Sequence, residues 1–360
     1  MPETGNKKLI VLSGGGTGGS VAPLLGLKQF LAKKHDNWQF VWFGTKTGLE
    51  RKMIAEAGLK YIAISSGKLR RYFSFKNFLD IFKIILAFFQ SLIYLKKLSP
   101  DLVMSAGAFV SVPLVWAAKI LNIPVIVHQQ DVRPGLANKL MAKASKKITV
   151  TFSKSLEDYG NKAVLTGNPV RQAFKQNFSK RECLESLGLK TDRPTIAVVG
   201  GGQGAKAIND LVKESLDSLT KEIQIIHIAG SLAKTLNSQD SYLAFNFVSA
   251  EKLNRIFIAS DLIISRCGLG SITELSFLKK PVIFIPMPFS HQEDNAEIIK
   301  KNQAGKVLDQ NQLTITSFTN NILQLLQDDN KRQDLANNLF NLIPKQAEEK
   351  ITEVIEKYVK

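Results

Sequence analysis

A glycine-rich loop between a short apolar run and a helix-like stretch occurs twice in this chain of 360 residues. The first loop, residues 14–19, has the sequence GGGTGG and follows the apolar run 9–12. The second loop, residues 200–205, has the sequence GGGQGA and follows the run 196–199. A glycine turn between a buried strand and a helix is typical of doubly wound α/β domains. A chain that begins this unit twice is expected to form two such domains in tandem.

Other β-branched apolar runs alternate with helix-like stretches along both halves. They lie at residues 40–43, 102–104, 125–127, 148–151, 223–228, 262–264 and 282–285. Short continuous apolar runs of this kind are typical of parallel strands buried on both faces. We therefore expect a first Rossmann-like domain over residues 1–166 and a second over 171–340, joined near the Asn168-Pro169 break. Residues 341–360 are expected to form a C-terminal helix, and whether it packs back on the first domain stays open.

The charge balance limits the kinds of partner. Lysine and arginine total 48 against 31 acidic residues, which gives a formal net charge of +17. Such an excess favours polyanions, namely nucleic acid, anionic lipid headgroups or phosphorylated substrates. Nucleic acid is disfavoured because no binding-fold signature accompanies the scattered lysines. With 2 cysteines and 4 dispersed histidines, we expect no disulfide framework, no metal site and no other cofactor.

Both glycine loops formally fit the dinucleotide pattern G-x-G-x-x-G/A, so a nicotinamide or flavin cofactor is the first rival interpretation. That interpretation expects an acidic residue at the end of the second strand, to hold the ribose hydroxyls. The corresponding strands end at Thr45 and Gly230, and neither end carries an acid. A P-loop is excluded because no Lys-Ser/Thr pair closes either loop. No Asp-x-Asp pair is present to hold a metal against a diphosphate, so helix N-termini are the expected diphosphate ligands.

A third loop adds a stronger candidate site. Gly268 and Gly270 open a helix directly after the strand 262–264, and such a helix N-terminus favours anions. Ser271 and Glu274 also fit the S-x-x-E capping box, so a purely structural role for Glu274 stays open. The next strand leads into the polar segment 286–296. Ligands of α/β folds bind at the carboxyl ends of such strands.

These motifs resemble the nucleotide-diphosphate-sugar glycosyltransferases of the GT-B fold, in particular family 28. The matching segments are residues 14–19, 105–113, 128–131, 167–171, 200–205, 266–274, 291–292 and 295–296. The resemblance implies two Rossmann-like domains facing across a cleft. It also implies an inverting transfer of N-acetylglucosamine from UDP-N-acetylglucosamine to a lipid-linked muramoyl-pentapeptide, a step of peptidoglycan synthesis.

The resemblance also assigns residues to the donor site. By position, the implied donor contacts are Thr17, Gly18, Gly19, Arg171, Gly202, Val248, Leu269, Gly270, Ser271, Ile272, Thr273, Glu274, His291 and Gln292. In this assignment Glu274 holds the ribose, residues 269–273 hold the diphosphate, and the backbone of Val248 holds the uracil. His291 and Gln292 contact the sugar hydroxyls.

The general base is where the chain departs from the family. Ser20 replaces a histidine of the first loop, and the motif His-Glu-Gln-Asn is altered to His128-Gln129-Gln130-Asp131. An inverting transfer needs a group near the acceptor hydroxyl that accepts a proton. The candidates are Asp131, His128 and Ser20, and our hypothesis is Asp131. A structural role for Asp131, capping the following turn, remains the alternative.

Residues 68–89 interleave five basic residues with seven aromatic ones. The stretch is too charged to span a bilayer but fits an interfacial helix. The expected contacts with an anionic membrane surface are Arg70, Arg71, Phe73, Phe75, Lys76, Phe78 and Phe82. For residues 84–95 we expect burial in the protein core instead. The enzyme is then a peripheral protein at the cytoplasmic face of the bacterial membrane.

Three alternatives remain open on the sequence. The chain could transfer a sugar to another lipid-linked acceptor, since Ser20 and Gln129 depart from the family pattern. It could be a UDP-sugar 2-epimerase, which shares the two-domain architecture. It could also be a binding protein without catalytic activity.

Overall fold

A computed structural model of the chain describes residues 7–16, 18–48, 50–67, 75–202, 204–230 and 238–359, without the side chains of residues 75–79. The chain divides into two compact units. Unit 1 comprises Met1–Val170 and Pro344–Lys360, and unit 2 comprises Arg171–Ile343. Each unit has its own parallel sheet and its own hydrophobic core.

Unit 1 alternates strands and helices around one parallel sheet. Its strands are β1 (Lys8–Ser13), β2 (Trp38–Gly44), β3 (Lys60–Ala63), β4 (Leu102–Ser105), β5 (Val125–Gln129), β6 (Lys147–Val150) and β7 (Ala163–Leu165). Its helices are α1 (Ala22–Lys34), α2 (Glu50–Glu56), α3 (Phe75–Leu98), α4 (Ser111–Ile120), α5 (Leu136–Ala142) and the C-terminal α13 (Ala347–Glu356). Within the described residues the sheet has the order β3-β2-β1-β4-β5-β6-β7.

Unit 2 repeats this arrangement. Its strands are β8 (Thr195–Val199), β9 (Gln224–Ile228), β10 (Tyr242–Phe245), β11 (Leu262–Ser265), β12 (Val282–Phe284) and β13 (Lys306–Val307). Its helices are α6 (Lys180–Ser186), α7 (Lys206–Leu219), α8 (Ala250–Ala259), α9 (Leu269–Phe277), α10 (Gln292–Lys301), α11 (Ile315–Gln327) and α12 (Asp329–Leu342). The described strands have the order β10-β9-β8-β11-β12-β13.

The central strands are the ones that the apolar runs predict. All nine predicted runs overlap strands, whereas β3, β7, β10 and β13 were not predicted. These four strands are the edges of the two sheets, as far as the described residues go. Edge strands are covered on fewer sides, so they lack the continuous apolar run that marks a central strand.

The C-terminal helix α13 belongs to unit 1. Its residues Ile351, Val354 and Ile355 are buried in the same cluster as Leu24 and Leu27 of α1. The helix thereby covers one face of the first sheet, and the glycine loop after β1 stands at the carboxyl edge of that sheet.

An aspartate before the fourth strand of each sheet fixes the start of the first strand. In unit 1, Asp101 Oδ2 accepts the N–H of Leu9 at 2.7 Å. In unit 2, Asp261 Oδ2 accepts the N–H of Thr195 at 3.0 Å. The two units therefore share this brace at the amino edge of the sheet, as well as the glycine loop at the carboxyl edge.

Candidate functional site

The helix α9 begins at the carboxyl end of β11 with an open N-terminus. Its N-cap residue is Gly268, which has extended backbone angles and gives the helix no side-chain cap. The first intrahelical bond runs from the Ile272 N–H to the Gly268 carbonyl oxygen at 3.1 Å. The N–H groups before Ile272 have no acceptor in an α-helix, and they lie at the positive end of the helix dipole. This N-terminus is therefore suited to a phosphate group.

Two buried polar side chains fix the turn that leads into α9. Asn295 of α10 donates from Nδ2 to the carbonyl oxygen of Cys267 at 3.0 Å, and its side chain is buried. Arg266 donates from Nη1 to the carbonyl oxygens of Ile285 and Pro286, each at 3.0 Å. The turn before the helix and the loop after β12 are thus held together, so the open N-terminus is preorganised.

Glu274 forms an ion pair with Arg171. Arg171 Nε lies 2.6 Å from Glu274 Oε1, although the two residues are far apart in sequence. The Arg171 guanidinium also lies over the ring of Phe174, 5.0 Å from its centroid. Burial raises the pKa of the Glu274 carboxyl, and the Arg171 guanidinium opposes that shift. The pair joins two residues that sequence analysis had assigned to one site.

The capping-box alternative for Glu274 is wrong. A capping box with Ser271 as the N-cap residue would start the helix at Ile272. The helix starts at Leu269 instead, and its N-cap residue is Gly268. Glu274 therefore lies within the helix, and its carboxylate faces Arg171 instead of the helix N-terminus.

The other donor-site candidates of unit 2 lie in loops after strands and at helix starts. Gly202 is exposed in the turn after β8, and Val248 is half-buried just before α8. His291 is exposed and is the N-cap residue of α10, without a side-chain cap. Gln292 Oε1 accepts the N–H of Met287 at 3.1 Å, which orders the loop before α10. Of the α9 segment, Gly270 and Ser271 are half-buried.

In unit 1, side chains hold the backbone of the first glycine loop. Trp42 Nε1 donates to the Gly14 carbonyl oxygen at 3.1 Å, and Ser20 Oγ accepts the Gly15 N–H at 3.1 Å. A buried acid that sequence analysis did not single out, Glu50, accepts the next N–H of the loop. Gly18 and Gly19 form a turn after this point. Thr17 lies outside the described residues.

His128 is completely buried in β5. Its Nδ1 lies 2.9 Å from Thr149 Oγ1 and its Nε2 lies 2.8 Å from Asn168 Oδ1. Burial lowers the pKa of His128 to about 4. With both ring nitrogens engaged and no exposed surface, this imidazole has no nitrogen available for a substrate proton.

Asp131 is half-buried in the loop after β5, and a neighbouring side chain orders that loop. Gln129 Nε2 donates to the carbonyl oxygens of Asp131 at 2.7 Å and Arg133 at 3.1 Å. Its Oε1 accepts from Asn138 Nδ2 at 2.5 Å and from the Tyr159 hydroxyl at 3.1 Å. A glutamate has no amide hydrogen for the two carbonyl oxygens, so glutamine at position 129 fits this loop.

Helix α3 exposes a row of apolar side chains. The exposed residues are Ile81, Phe82, Ile85, Leu86, Phe89, Ile93 and Tyr94. The opposite face is buried through Ala87, Ser91 and Leu95. The expectation that residues 84–95 form core is therefore wrong for one face of the helix. Within the described part of the chain, no helix is long and apolar enough to cross a membrane.

The predicted membrane contacts fall mostly before this row. Phe82 is described and 57% exposed. Arg70, Arg71 and Phe73 lie outside the described residues, as do the side chains of Phe75, Lys76 and Phe78.

Paired doubly wound units, each with a glycine loop and one with an open helix at its carboxyl edge, define the GT-B class of fold. The Glycosyltransferase family 28 N-terminal domain matches residues 10–150, and the Glycosyltransferase family 28 C-terminal domain matches residues 195–356. The chain belongs to glycosyltransferase family 28.

Individual proteins resemble the chain over its full length. A Clostridium botulinum protein is 38% identical over 98% of this chain and 100% of its own length. Its name is UDP-N-acetylglucosamine--N-acetylmuramyl-(pentapeptide) pyrophosphoryl-undecaprenol N-acetylglucosamine transferase. The crystal structure of Acinetobacter baumannii MurG has a TM-score of 0.74 and 24% identity, covering 97% of this chain and 99% of that chain.

An epimerase structure also shares the fold. The putative UDP-N-acetylglucosamine 2-epimerase from Listeria monocytogenes has a TM-score of 0.71 and 14% identity, covering 98% of this chain and 96% of that chain. At such low identity the likeness to either structure speaks for the fold and not for the reaction.

Proposed function

We propose that this chain transfers N-acetylglucosamine from UDP-N-acetylglucosamine to undecaprenyl-diphospho-muramoylpentapeptide, lipid I, and so makes lipid II for peptidoglycan synthesis. The observation that carries the proposal is the 38% identity, over 98% of this chain and the full length of the relative, with a transferase named for this donor and acceptor. The epimerase alternative rests on fold likeness alone. The product serves cell-wall growth and therefore cell shape and division.

In the proposed donor complex, unit 2 holds the nucleotide. The N–H groups at the start of α9 bind the diphosphate, and the Glu274 carboxylate accepts hydrogen bonds from the ribose hydroxyls. Arg171 opposes the effect of burial on the pKa of that carboxyl and orients it, since its Nε lies 2.6 Å away. When UDP departs it gains negative charge, which the helix dipole and the Arg171 guanidinium stabilise. The remaining contacts are those that the family resemblance implies: the uracil is held by the backbone of Val248, and the sugar hydroxyls are contacted by His291 and Gln292.

In the proposed transfer step, Asp131 is the general base. The acceptor hydroxyl oxygen forms a bond to the anomeric carbon while the bond from that carbon to the UDP oxygen breaks, and the hydroxyl proton goes to the Asp131 carboxylate. Ser20 and His128 are weaker candidates, because Ser20 is bonded to its own loop and His128 has no exposed surface.

The test of the reaction is UDP release with and without a lipid I analogue, together with identification of the sugar product. We expect release that depends on the acceptor and a glycosylated lipid. Conversion of UDP-N-acetylglucosamine to its 2-epimer would overturn the proposal in favour of the epimerase. Asp131→Asn is expected to lower the turnover number by at least about 100-fold, and near-normal turnover would exclude Asp131 as the base.

We also propose that the enzyme docks on anionic lipid at the cytoplasmic face of the bacterial membrane through α3. The exposed apolar row of α3 supports this, together with Lys96 and Lys97 in the last turn of the same helix. Apolar side chains enter the acyl boundary, and each lysine near anionic headgroups contributes about 1 kcal/mol.

Sedimentation with phosphatidylglycerol vesicles tests the docking. The triple variant Phe82→Ser, Ile85→Ser, Phe89→Ser should bind about 100-fold more weakly, since each buried apolar side chain contributes roughly 1 kcal/mol or more. Phe247→Ser in unit 2, which removes an aromatic side chain that is even more exposed than Phe82, is the control and should bind normally. Unchanged binding of the triple variant, or binding that survives charge reversal at Arg70, Arg71 and Lys76, would contradict the proposal.

A further inference from the structure

Glu50 is the first residue of α2, and its side chain is completely buried. Its carboxylate lies at the carboxyl end of β2. There Oε1 accepts hydrogen bonds from the Thr45 N–H at 2.9 Å and from the Thr45 hydroxyl at 2.5 Å, with the Tyr61 hydroxyl 3.4 Å away. Oε2 accepts the N–H of Gly16 at 3.1 Å. One carboxylate therefore ties the first glycine loop to the turn after β2.

A buried carboxylate is costly unless donors or cations compensate it. Glu50 has no ion pair with any described residue, so protein N–H and O–H groups provide the compensation. Burial, and then the nearby Glu50 carboxylate, raise the pKa of Tyr61, whose hydroxyl stays protonated and donates to the Thr45 carbonyl oxygen at 2.5 Å. The donors that compensate Glu50 are therefore the Gly16 N–H and the N–H and hydroxyl of Thr45. Both carboxylate oxygens are satisfied within the protein, so Glu50 is not available to a ligand.

Three successive residues of the loop are held by three different side chains. Gly14 is held by Trp42, Gly15 by Ser20 and Gly16 by Glu50. A Cβ at Gly15 would lie 2.5 Å from Glu50 Oε1, so the glycine at this position makes room for the carboxylate. Gly16 has a φ of +79°, which other residues rarely adopt. Glu50 thus holds Gly16 directly and fills the space that a side chain at Gly15 would occupy.

In dinucleotide-binding folds an acid at the end of the second strand holds the ribose. Here the Glu50 carboxylate reaches that end from the start of the next helix, and it binds the loop instead of a ribose. We propose that Glu50 is a positioning residue of the transferase, which fixes the first glycine loop in its working conformation and leaves nucleotide binding to unit 2. The inference rests on the proposed function.

The variants Glu50→Ala and Glu50→Gln test this role with three measurements. For Glu50→Ala we expect amide hydrogen exchange in residues 13–21 to rise at least about tenfold, because the Gly16 N–H loses its acceptor. The turnover number at saturating substrates should fall at least about tenfold, while the Kd for UDP measured by calorimetry stays within about twofold. Glu50→Gln keeps one acceptor oxygen and should lie between Glu50→Ala and the wild type in turnover and in exchange. If Glu50→Ala does not fold, this isosteric variant decides the question by itself.

Asp101→Ala is the matched control. Asp101 also accepts a backbone N–H in unit 1, but at the amino edge of the same sheet, away from the loop. This control should lower the melting temperature without changing loop exchange or turnover. If the Glu50 variants change turnover no more than Asp101→Ala does, or if loop exchange stays at the wild-type level, Glu50 is only a stabilising residue and the inference is overturned. A wild-type protein that fails to glycosylate the lipid I analogue would overturn the proposed function instead, and loop exchange would still test the role of Glu50.

Discussion

The two glycine loops have nearly the same sequence, but the two units surround them differently. In unit 1 the side chains of Trp42, Ser20 and Glu50 hydrogen-bond to three successive glycines. In unit 2 no described side chain hydrogen-bonds to the glycines of the loop 200–205, and the helix α9 nearby has no side-chain cap. A glycine motif alone therefore does not identify a phosphate site.

The difference lies in which polar groups the protein has already satisfied. Backbone N–H groups with an internal acceptor stabilise the fold, whereas N–H groups at an open helix N-terminus remain for an anion. The acids follow the same rule. Glu50 is saturated by donors of its own unit, but Glu274 has one described partner, Arg171, whose side chain is 31% exposed. Helix α1 of unit 1 also begins without a side-chain cap, so an open helix N-terminus does not by itself separate the units. From the state of the two acids, we expect unit 2 to bind the donor.

The largest expected effect is loss of donor binding in Glu274→Gln. The Kd for UDP-N-acetylglucosamine should rise about 100-fold, because hydrogen bonds to a charged group contribute roughly 1.5–3 kcal/mol each, and the amide keeps only one of the two acceptor oxygens, without its charge. Calorimetry at pH 7.5 checks this. Glu50→Gln, the corresponding change in unit 1, should leave the Kd unchanged, and equal losses in both variants would remove the distinction between the units.

The pH dependence of donor affinity should also differ between the wild type and Glu274→Gln. Burial raises the pKa of Glu274, so the ionised form is lost as pH falls toward that raised value. Wild-type affinity for UDP-N-acetylglucosamine should therefore weaken on acidification, while the weak affinity of Glu274→Gln should show no such trend.

Each unit contains one buried histidine with the same kind of partners, and these two histidines should contribute equally to the response to acid. His128 lies between Thr149 and Asn168, and His227 lies between Tyr242 and Asn209. Burial lowers the pKa of both to about 4. The unfolded chain binds these protons with a pKa of about 6.5, so each histidine stabilises the fold above that pH, and the contribution is lost as pH falls toward 4.

Each of these two histidines is expected to account for about 3 kcal/mol of acid destabilisation between pH 6.5 and 4. Urea unfolding at several pH values checks this with His128→Gln and His227→Gln, each of which should flatten the pH dependence. His291→Gln, which changes an exposed histidine, is the control. A flattened profile for one of the buried histidines only would show that the two units differ here as well.

Sequence analysis predicted the fold where burial leaves a pattern. Central strands are continuous apolar runs, so all nine were found, but edge strands such as β7 and β13 are only half-buried and were missed. Residues 84–95 of helix α3 are apolar on nearly all sides, which gives no sign of the face that stays exposed. Residues 84–95 were therefore assigned wholly to the core, although Phe89 and Ile93 are exposed.

The site was predictable only through local motifs and the family resemblance. The dinucleotide pattern places an acid at the end of β2, where this chain has none. Glu50 was missed because its side chain reaches back to Thr45 from the next helix. The pair of Arg171 and Glu274 is a long-range contact, for which one sequence carries no signal. A helix that starts at Leu269 is also indistinguishable in sequence from one capped at Ser271, until the backbone angles of Gly268 are known.

A smaller effect on stability should separate Gly15 of the first loop from Gly202 of the second. Gly15→Ala pushes a methyl group to 2.5 Å from Glu50 Oε1 and should lower the free energy of unfolding by about 2 kcal/mol. A Cβ at Gly202 meets no atom within 4 Å, so Gly202→Ala should stay within about 0.5 kcal/mol of the wild type. Urea unfolding gives both values. A costly Gly202→Ala would show that Gly202 is packed as closely as Gly200 and Gly204 of the same loop, where a Cβ would lie 2.7 Å from the Ala205 nitrogen and closer still to the Ala229 carbonyl oxygen, respectively.

The smallest expected effect comes from placing an acid in the first turn of α9. In Ser271→Asp the new carboxylate interacts favourably with the helix dipole and should raise the free energy of unfolding by about 0.5 kcal/mol. The same charge repels the diphosphate, so the Kd for UDP should rise about tenfold. Thr316→Asp, in the first turn of α11, is the control and should leave the Kd unchanged. A protein that is more stable but binds donor more weakly has an anion site at that helix end, since a purely structural N-terminus gains stability without losing affinity.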